Sequence, residues 1–390
     1  MRFSGLIFKN ALRHKLRSIL TILGIAIAIL AFGLLRTVID SWYSGVEASN
    51  PNRIVIRNAV SLAFSLPVSY HEIIQSIPGV QAVSYAHWFA GIYIDEKHSF
   101  FPQFAVEASP EWFDIFPEVV IPKEQKENFL KERNAAIVGI KLAQRNGWQI
   151  GQTIRMRGTF FPGDWEFVIR GIYTGATKST DETWFVLHWQ YMDERLRQTE
   201  PWRAGHVGWF TAKIADPNLA GEMSQAIDQR FKNSLAETLT ETERSFMAGF
   251  VSMSSAIILA LQTISIVIIA VILAVLSNTM AMAARERLTE YAVLKTLGFG
   301  ARHLVFLIIG ESFLISVFGG ILGVVLSYPA AQAFWTALGD LSGALFPAFE
   351  VSPLTLAFSG LMTMGIGLIA GLFPTWRAVT LRIAEGLRRF

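Results

Sequence analysis

The stretch SFMAGFVSMSSAIILALQTISIVIIAVILAVLSNTMAMAA, Ser245–Ala284, runs for forty residues without a charged side chain. As one helix it would reach roughly 60 Å, about twice the thickness of a bilayer's hydrocarbon core. Such a run belongs in lipid, with the excess tilted or continuing as a stalk outside it. Ser252, Ser254 and Ser255 make its first part less apolar, which places the membrane portion at 253–283 and the stalk before it. Three further runs are long enough to cross: 19–39 (ILTILGIAIAILAFGLL, then Arg36), 304–335 and 353–374.

Composition agrees with this reading. The chain has 390 residues, of which 52% are hydrophobic and 17% charged, against roughly 25% charged in an average soluble protein. Its mean hydropathy is +0.39. The absence of cysteine excludes disulfides, thiolate metal sites and cysteine-linked lipid anchors. A net charge of +3 is too small to argue for a nucleic-acid partner.

Residues 41–250 differ from the rest. They hold 20 Lys/Arg, 24 Asp/Glu and nine of the eleven tryptophans, which is ordinary for a water-exposed domain. The sequence thus reads as an α-helical membrane protein with four transmembrane helices. A mixed α/β extracytoplasmic domain, 40–252 with its stalk, is inserted between helices 1 and 2. Within it, strands are expected at 52–57, 80–85, 153–157, 167–173 and 207–214. Helices are expected at 71–77, 136–145 and 219–231, forming two strand–helix–strand-like groups around a β-rich middle.

Orientation follows from basic residues in the short flanks, because such segments resist translocation. Arg2, Lys9, Arg13, Lys15 and Arg17 precede the first span, in an N-terminal segment, 1–18, without acids. The loop 284–303 carries Arg285, Arg287, Lys295 and Arg302, and the tail 375–390 carries Arg377, Arg382, Arg388 and Arg389. The loop 336–352 has neither Lys nor Arg. Both termini are therefore expected in the cytoplasm and the large domain outside. Leu34, Leu35 and Arg36 stand where a signal-peptide cleavage site would need small residues, so the first span reads as a retained anchor. Within 3–17, Phe3, Leu6, Ile7, Ala11 and Leu12 share a stripe; a helix at the membrane surface and a basic topology signal are both compatible with it.

Catalytic chemistry is hard to find. GIYTGATKS (Gly171–Ser179) has the wrong glycine spacing for a phosphate-cradling loop. The seven histidines show no pair at ligand spacing, and no G-x-S-x-G elbow occurs. The adjacent carboxylates Asp95-Glu96 and Asp181-Glu182 read as solvated surface. No metal site and no enzymatic activity are expected of this chain.

Three features invite attention in the membrane part. Gly319/Gly323 and Gly367/Gly371 are small-xxx-small pairs that permit close helix contact. Glu311 lies within the third span, where a carboxylate costs roughly 2.5–3.5 kcal/mol unless it has a partner; a structural tie near the Arg302 interface is favoured over a proton-coupling role. In ARERLTEYAVLKTLGFG (284–300), Leu288, Tyr291, Leu294 and Leu297 recur every three residues among Glu286, Arg287, Glu290 and Lys295. Gly298 and Gly300 end the helix. Topology explains the arginines of this loop, but a protein-docking surface explains the acids and the apolar stripe as well.

At these residues the sequence resembles the permeases of MacB-type (type VII) ABC systems, whose membrane part is called the FtsX-like domain. ERLTEYAVLKTLG matches the family at Glu286, Arg287, Glu290 and Gly298, and FLIIGESFLISVFGGILG at Glu311, Gly319, Gly320 and Gly323. GLFPTWRAVTLRIAEGLRR matches its terminal signature at Pro374, Trp376, Arg377 and Ala378; ALRHKLRSILTILGIAI is similar to its first span. Thr289 stands where the family usually has a basic residue.

The resemblance implies a bacterial inner-membrane permease working as a homodimer or pseudo-dimer. ATP would be bound by a separate cytoplasmic ATPase subunit, leaving this chain without a cofactor. Glu286, Arg287, Glu290, Tyr291, Leu294, Lys295 and Gly298 would then couple to that ATPase. Its motion would drive the outer domain (mechanotransmission) and export a substrate from the periplasm or outer leaflet. A periplasmic adaptor and an outer-membrane channel are candidate further partners, alongside membrane lipid. The alternative within the family is a signalling transmitter that activates an extracytoplasmic enzyme such as a cell-wall hydrolase; lipoprotein release is a third.

Overall fold

The computed structural model describes residues 3–11, 13–95, 101–177, 179–338 and 349–380. The expectations placed on Leu12, Glu96, Arg382, Arg388, Arg389 and most of the loop 336–352 lie outside these residues, as do the side chains of Phe3 and Leu6. The described chain divides into two compact units, one from 1–40, 255–337 and 349–380, the other from 41–254.

Among the described residues, four helices are long and apolar enough to span a membrane: Lys15–Glu47, Ser255–Glu286, Ala301–Ala337 and Pro353–Thr380. These are the first to fourth spans below. Each exceeds its hydropathy-based range because helical hydrogen bonding does not stop where apolar side chains do. The expected continuous stalk is different: the run divides into Glu243–Met253 and Ser255–Glu286, with Ser254 between them at φ −95° and ψ 10°. Thr242 caps the shorter helix by accepting a hydrogen bond from the Ser245 amide.

Glycines set the packing of the third span. A Cβ on Gly319 would lie 2.7 Å from Ile25 Cβ, and one on Gly323 would lie 2.6 Å from the Ala26 carbonyl oxygen, both on the first span. On the fourth span, a Cβ at Gly367 would meet Phe313 Cα at 2.9 Å, and one at Gly371 would meet Ser312 Oγ at 2.7 Å. Gly320, which the spacing rule passed over, is tighter still: its Cβ would fall 2.3 Å from Thr363 Cγ2. The backbones come close enough for Ser316 Oγ to donate to the Thr363 carbonyl at 2.6 Å and Ser312 Oγ to the Gly367 carbonyl. Lipid offers no water-expulsion force between helices, so this contact and bonding hold them together.

At the other end of these helices, Asp40 closes a polar cluster. It pairs with Arg36 at 3.0 Å and accepts from Ser352 and Thr355 hydroxyls at 2.9 and 2.6 Å. Ser352 also accepts from the Thr355 amide, so it caps the fourth span.

The second unit is built on one eleven-stranded mixed sheet. Its order is Thr238–Thr242, Arg53–Asn58, Trp209–Ile214, Val80–Trp88, Gln103–Val106, Phe185–His188, Ala135–Gly139, Gly163–Gly175, Thr153–Gly158 and Gly91–Ile92; Val119–Val120 pairs beside Gly163–Gly175. Two pairings are parallel, Phe185–His188 on Gln103–Val106 and Ala135–Gly139 on Gly163–Gly175. The two groups expected from sequence thus share one sheet. The expected helix 136–145 is instead a buried strand, Ala135–Gly139, followed by a helix, Ile140–Asn146. A continuous apolar run in a fully buried strand has no alternation to betray it. Gly208 interrupts the expected strand 207–214 between His206–Val207 and Trp209–Ile214.

One face of this sheet carries the larger core, with Ile54, Ile56, Phe89, Trp165, Phe167, Phe185 and Phe210 buried. The opposite face carries Ala86, Val106, Ile137, Tyr173 and Val186 under the helices Pro110–Ile115 and Lys123–Lys131. Asp181, expected on the solvated surface, is an exception. Its carboxylate accepts from the Thr183 amide and hydroxyl and from the Trp184 indole at 2.6–2.9 Å, and burial raises its pKa. Two side chains on adjacent turn residues are free to diverge, and here the Asp is recruited to satisfy a turn. Asp95 is exposed as expected.

Gly320→Ala should destabilise the detergent-solubilised protein by about 1–3 kcal/mol, through overpacking. Gly360→Ala, with nothing within 4 Å of the added Cβ, should be neutral or slightly stabilising in the same thermal melts. A second expectation concerns His188, whose Nε2 donates to the Phe129 carbonyl at 2.6 Å and whose burial lowers its pKa from 6.5 to about 4. Between those values the unfolded chain binds the extra proton, so His188 costs stability as the pH falls from 6.5 towards 4. On lowering the pH from about 7.5 to about 5, the melting temperature of His188→Gln should therefore fall less than that of the unsubstituted protein.

Candidate functional site

The loop between the second and third spans folds as a short helix, Leu288–Thr296, that ends at Gly298 with φ +89°. That left-handed conformation strains any residue with a Cβ, which accounts for glycine there. Arg287 stands just before this helix, and its side chain is 3% exposed. Its Nη1 donates to Glu311 Oε2 at 2.8 Å, and its Nη2 donates to the Asn10 carbonyl at 3.0 Å.

Glu311 therefore has a structural partner, Arg287 of the same loop that carries the exposed Arg302. The pair is almost wholly buried on both sides. Desolvation offsets most of its Coulombic gain, so its contribution is to register: removing one member strands the other charge, at a cost of about 3–5 kcal/mol. Arg287 thereby ties three segments together, the loop, the third span and the N-terminal helix Phe3–Ala11. In that N-terminal helix Ile7 and Ala11 are buried, and Ile7 Cδ1 would meet a Cβ on Gly310 at 2.8 Å.

Three further charged residues of the loop also find partners within the unit. Glu290 accepts from Arg13 at 2.6 Å, Glu286 pairs with Arg17 at 3.0 Å, and Lys295 Nζ donates to the Val379 carbonyl at 2.8 Å. These partners were legible in principle. Arg13 and Arg17 are four apart, as are Glu286 and Glu290, and two such pairs match across antiparallel segments. Sequence reasoning used the arginines for orientation alone. The exposed Arg13–Glu290 pair contributes little stability, but it orients the loop against the N-terminal segment.

The apolar stripe is placed differently from expectation. Tyr291 and Ala292 are buried, and Tyr291 with the partly buried Leu294 packs in the apolar core formed by the spans of the same unit. Burial pushes the Tyr291 phenol up to about 12. A nine-residue helix beside an apolar core buries its greasiest side there, leaving less for a partner. What remains exposed is Val293 at 44% and Leu297 at 69%, beside Arg285 and Glu290. Sequence reasoning missed Val293, which falls outside the three-residue spacing of Leu288, Tyr291, Leu294 and Leu297.

Comparisons with known proteins give the family of the chain. Residues 262–383 match the FtsX-like permease C-terminal family, and residues 18–230 match the MacB-like periplasmic core domain. The chain is similar to the ABC transporter permease MJ1507 of Methanocaldococcus jannaschii, at 24% identity over 98% of this chain and 96% of that one. It is equally similar to the ABC transporter permease YvrN of Bacillus subtilis, at 24% identity over 98% of each. Among solved structures, the periplasmic region of MacB from Actinobacillus actinomycetemcomitans aligns with a TM-score of 0.38 and 8% identity, over 53% of this chain and 95% of that one. The extracellular domain of the transporter YknZ from Gram-positive bacteria aligns with a TM-score of 0.35 and 11% identity, over 49% of this chain and 99% of that one. The core-domain family covers more than half of the sequence, and the permease family covers the loop and spans just described; this multi-pass membrane protein belongs to the MacB-like, FtsX-like ABC transporter permeases.

Proposed function

We propose that this permease couples ATP hydrolysis by a separate cytoplasmic ATPase to export or extraction of a substrate from the outer side of a bacterial inner membrane. Membership in the ABC permease family implies an ATPase partner. The observation that carries the rest is the coupling helix, locked by Arg287 to the third span and N-terminal helix while Val293 and Leu297 stay exposed. A rigid helix presenting apolar side chains among charges suits a groove on a motor protein, because the motion received there is not lost in a flexible loop. The tie passes it into the third span, which Gly319 and Gly323 hold against the first. The first span continues unbroken from Lys15 to Glu47, a rod of roughly 50 Å that suits force transmission towards the substrate-handling domain.

In this reading both termini are cytoplasmic and the sheet domain faces the periplasm, as the basic flanks require. Two copies of the chain form the working permease, with a periplasmic adaptor and an outer-membrane channel as further components of the exporter. The residues that touch the ATPase are Glu290, Val293 and Leu297, whereas Arg287, Tyr291 and Leu294 position the helix.

Orientation is checked by single cysteines, since the chain has none of its own. Ser61→Cys should react with an impermeant maleimide in intact spheroplasts, and Ser4→Cys only after lysis; the reverse pattern overturns the topology. Coupling is checked by co-expression with the ATPase encoded beside this chain. Val293→Asp with Leu297→Asp should lower permease-dependent ATP turnover at least about tenfold while the permease melts normally, because polar groups would be forced into an apolar contact. Unchanged turnover and complex formation would remove the proposed docking surface. Loss of turnover together with release of an outside hydrolase activity, and no cargo movement, would favour the signalling alternative.

A further inference from the structure

The sheet of the 41–254 unit is covered unequally. On the face bearing Val106 and Val186, the helices Pro110–Ile115 and Lys123–Lys131 roof only part of the strands. Over the remainder lies a cavity of about 820 Å³, bounded also by Trp42 and Val46 and by Phe246 and Phe250 of the helix Glu243–Met253. Ligand sites commonly measure roughly 300–1,000 Å³.

Its wall is a continuous aromatic surface. The ring of Trp88 lies 4.8 Å from Phe104 and 5.5 Å from Trp209, and Phe104 lies 5.1 Å from Trp184. Trp184 continues to Phe116 at 6.4 Å, and Phe116 to Trp112 at 5.1 Å. On the opposite face of the same sheet the large aromatic side chains, such as Phe89, Trp165 and Phe167, are wholly buried, whereas Trp88 is 40% exposed. Leaving such a surface open to water is costly unless something occupies it.

Charge selects the occupant. Among the described residues lining the cavity, Arg53 is the one cation, against the carboxylates of Glu118, Asp181 and Glu243. Arg53 is fully committed. It pairs with Glu118 and Glu243 at 2.8 Å each, donates to the Ile115 carbonyl at 2.8 Å, and lies over the Phe116 ring at 4.4 Å. Arg53 sits between Glu118 and Glu243, and the Glu118 side chain remains 24% exposed. Among the described lining residues, an anion would find no cation that is not already paired. A positively charged organic group would find a carboxylate beside aromatic faces, whose quadrupoles attract cations most strongly where water is excluded.

We infer that this cavity binds a lipophilic organic cation, its apolar body against Trp88, Phe104 and Trp209 and its charge near Glu118. As cargo, this ligand class rests on the export function proposed above; as a binding site, the cavity stands on its own geometry.

The test uses the full-length permease in phosphatidylcholine nanodiscs, with empty discs subtracted. Radiolabelled tetraphenylphosphonium should bind saturably at one site per chain and at least about tenfold more tightly than tetraphenylborate, its near-isosteric anion. Glu118→Gln, which leaves Arg53 its Glu243 partner, and Trp88→Ala should each weaken tetraphenylphosphonium binding at least about fivefold in protein that remains folded. Equal or tighter binding of the borate, no saturable binding of either probe, or wild-type affinity in both folded variants would overturn the assignment. Saturable cation binding by a permease that fails the ATP-turnover test would sustain the cavity and remove the export reading. Coupled turnover without cation binding would do the opposite.

Discussion

A peptide group inside hydrocarbon has no water to bond, and every structural choice in the spanning part answers to that fact. The chain crosses as four uninterrupted helices, and several polar side chains within them are spent on a backbone carbonyl or a charge of opposite sign. Ser312 and Ser316 donate to carbonyls of the fourth span, and Glu311 receives Arg287. Where a side chain would hold two backbones apart, glycine stands instead: Gly319 and Gly323 towards the first span, Gly320, Gly367 and Gly371 between the third and fourth. The third span is thereby the hub of the unit, gripped on two sides by contacts that tolerate no added carbon.

The same economy shapes the loop between the second and third spans. Its helix is too short to be stable on propensity alone, so it borrows stability by burying Tyr291 and part of Leu294 in the core of the spans. The acids at 286 and 290 are engaged by Arg17 and Arg13, and Arg287 fastens the loop from beneath. A helix held from three directions is a poor sensor but a good lever. That property, more than its residue pattern, underlies the coupling role proposed for the loop.

The 41–254 unit solves a different problem, with water on its outside. One sheet separates two apolar layers, and the layer beneath Trp88 and Trp209 is left incompletely roofed. Arg53 is placed at a junction there. Its guanidinium joins Glu243, the first residue of the helix that leads back towards the second span. The same Glu243 carboxylate accepts from the Asn50 amide, just beyond the end of the first span. The chain's entry into this unit and its exit are thus bonded to one another through a single buried carboxylate, whose pKa burial raises.

The amino-acid sequence by itself determined the four spans, the inserted mixed α/β domain and the family, because hydrophobic length, charge density and the motifs around 286–298 and 374–378 are local properties of the chain. Many strand and helix positions followed from alternation and turn residues, such as Arg53–Asn58 and Thr153–Gly158. Only the tertiary structure decided which side of the coupling helix faces outward, which cation answers Glu311, and that Ala135–Gly139 is a strand buried on both faces. It alone merged the expected groups into one sheet and exposed the break at Ser254. Those outcomes depend on which apolar surface lies nearest and which opposite charge can reach, distances that a linear string does not contain.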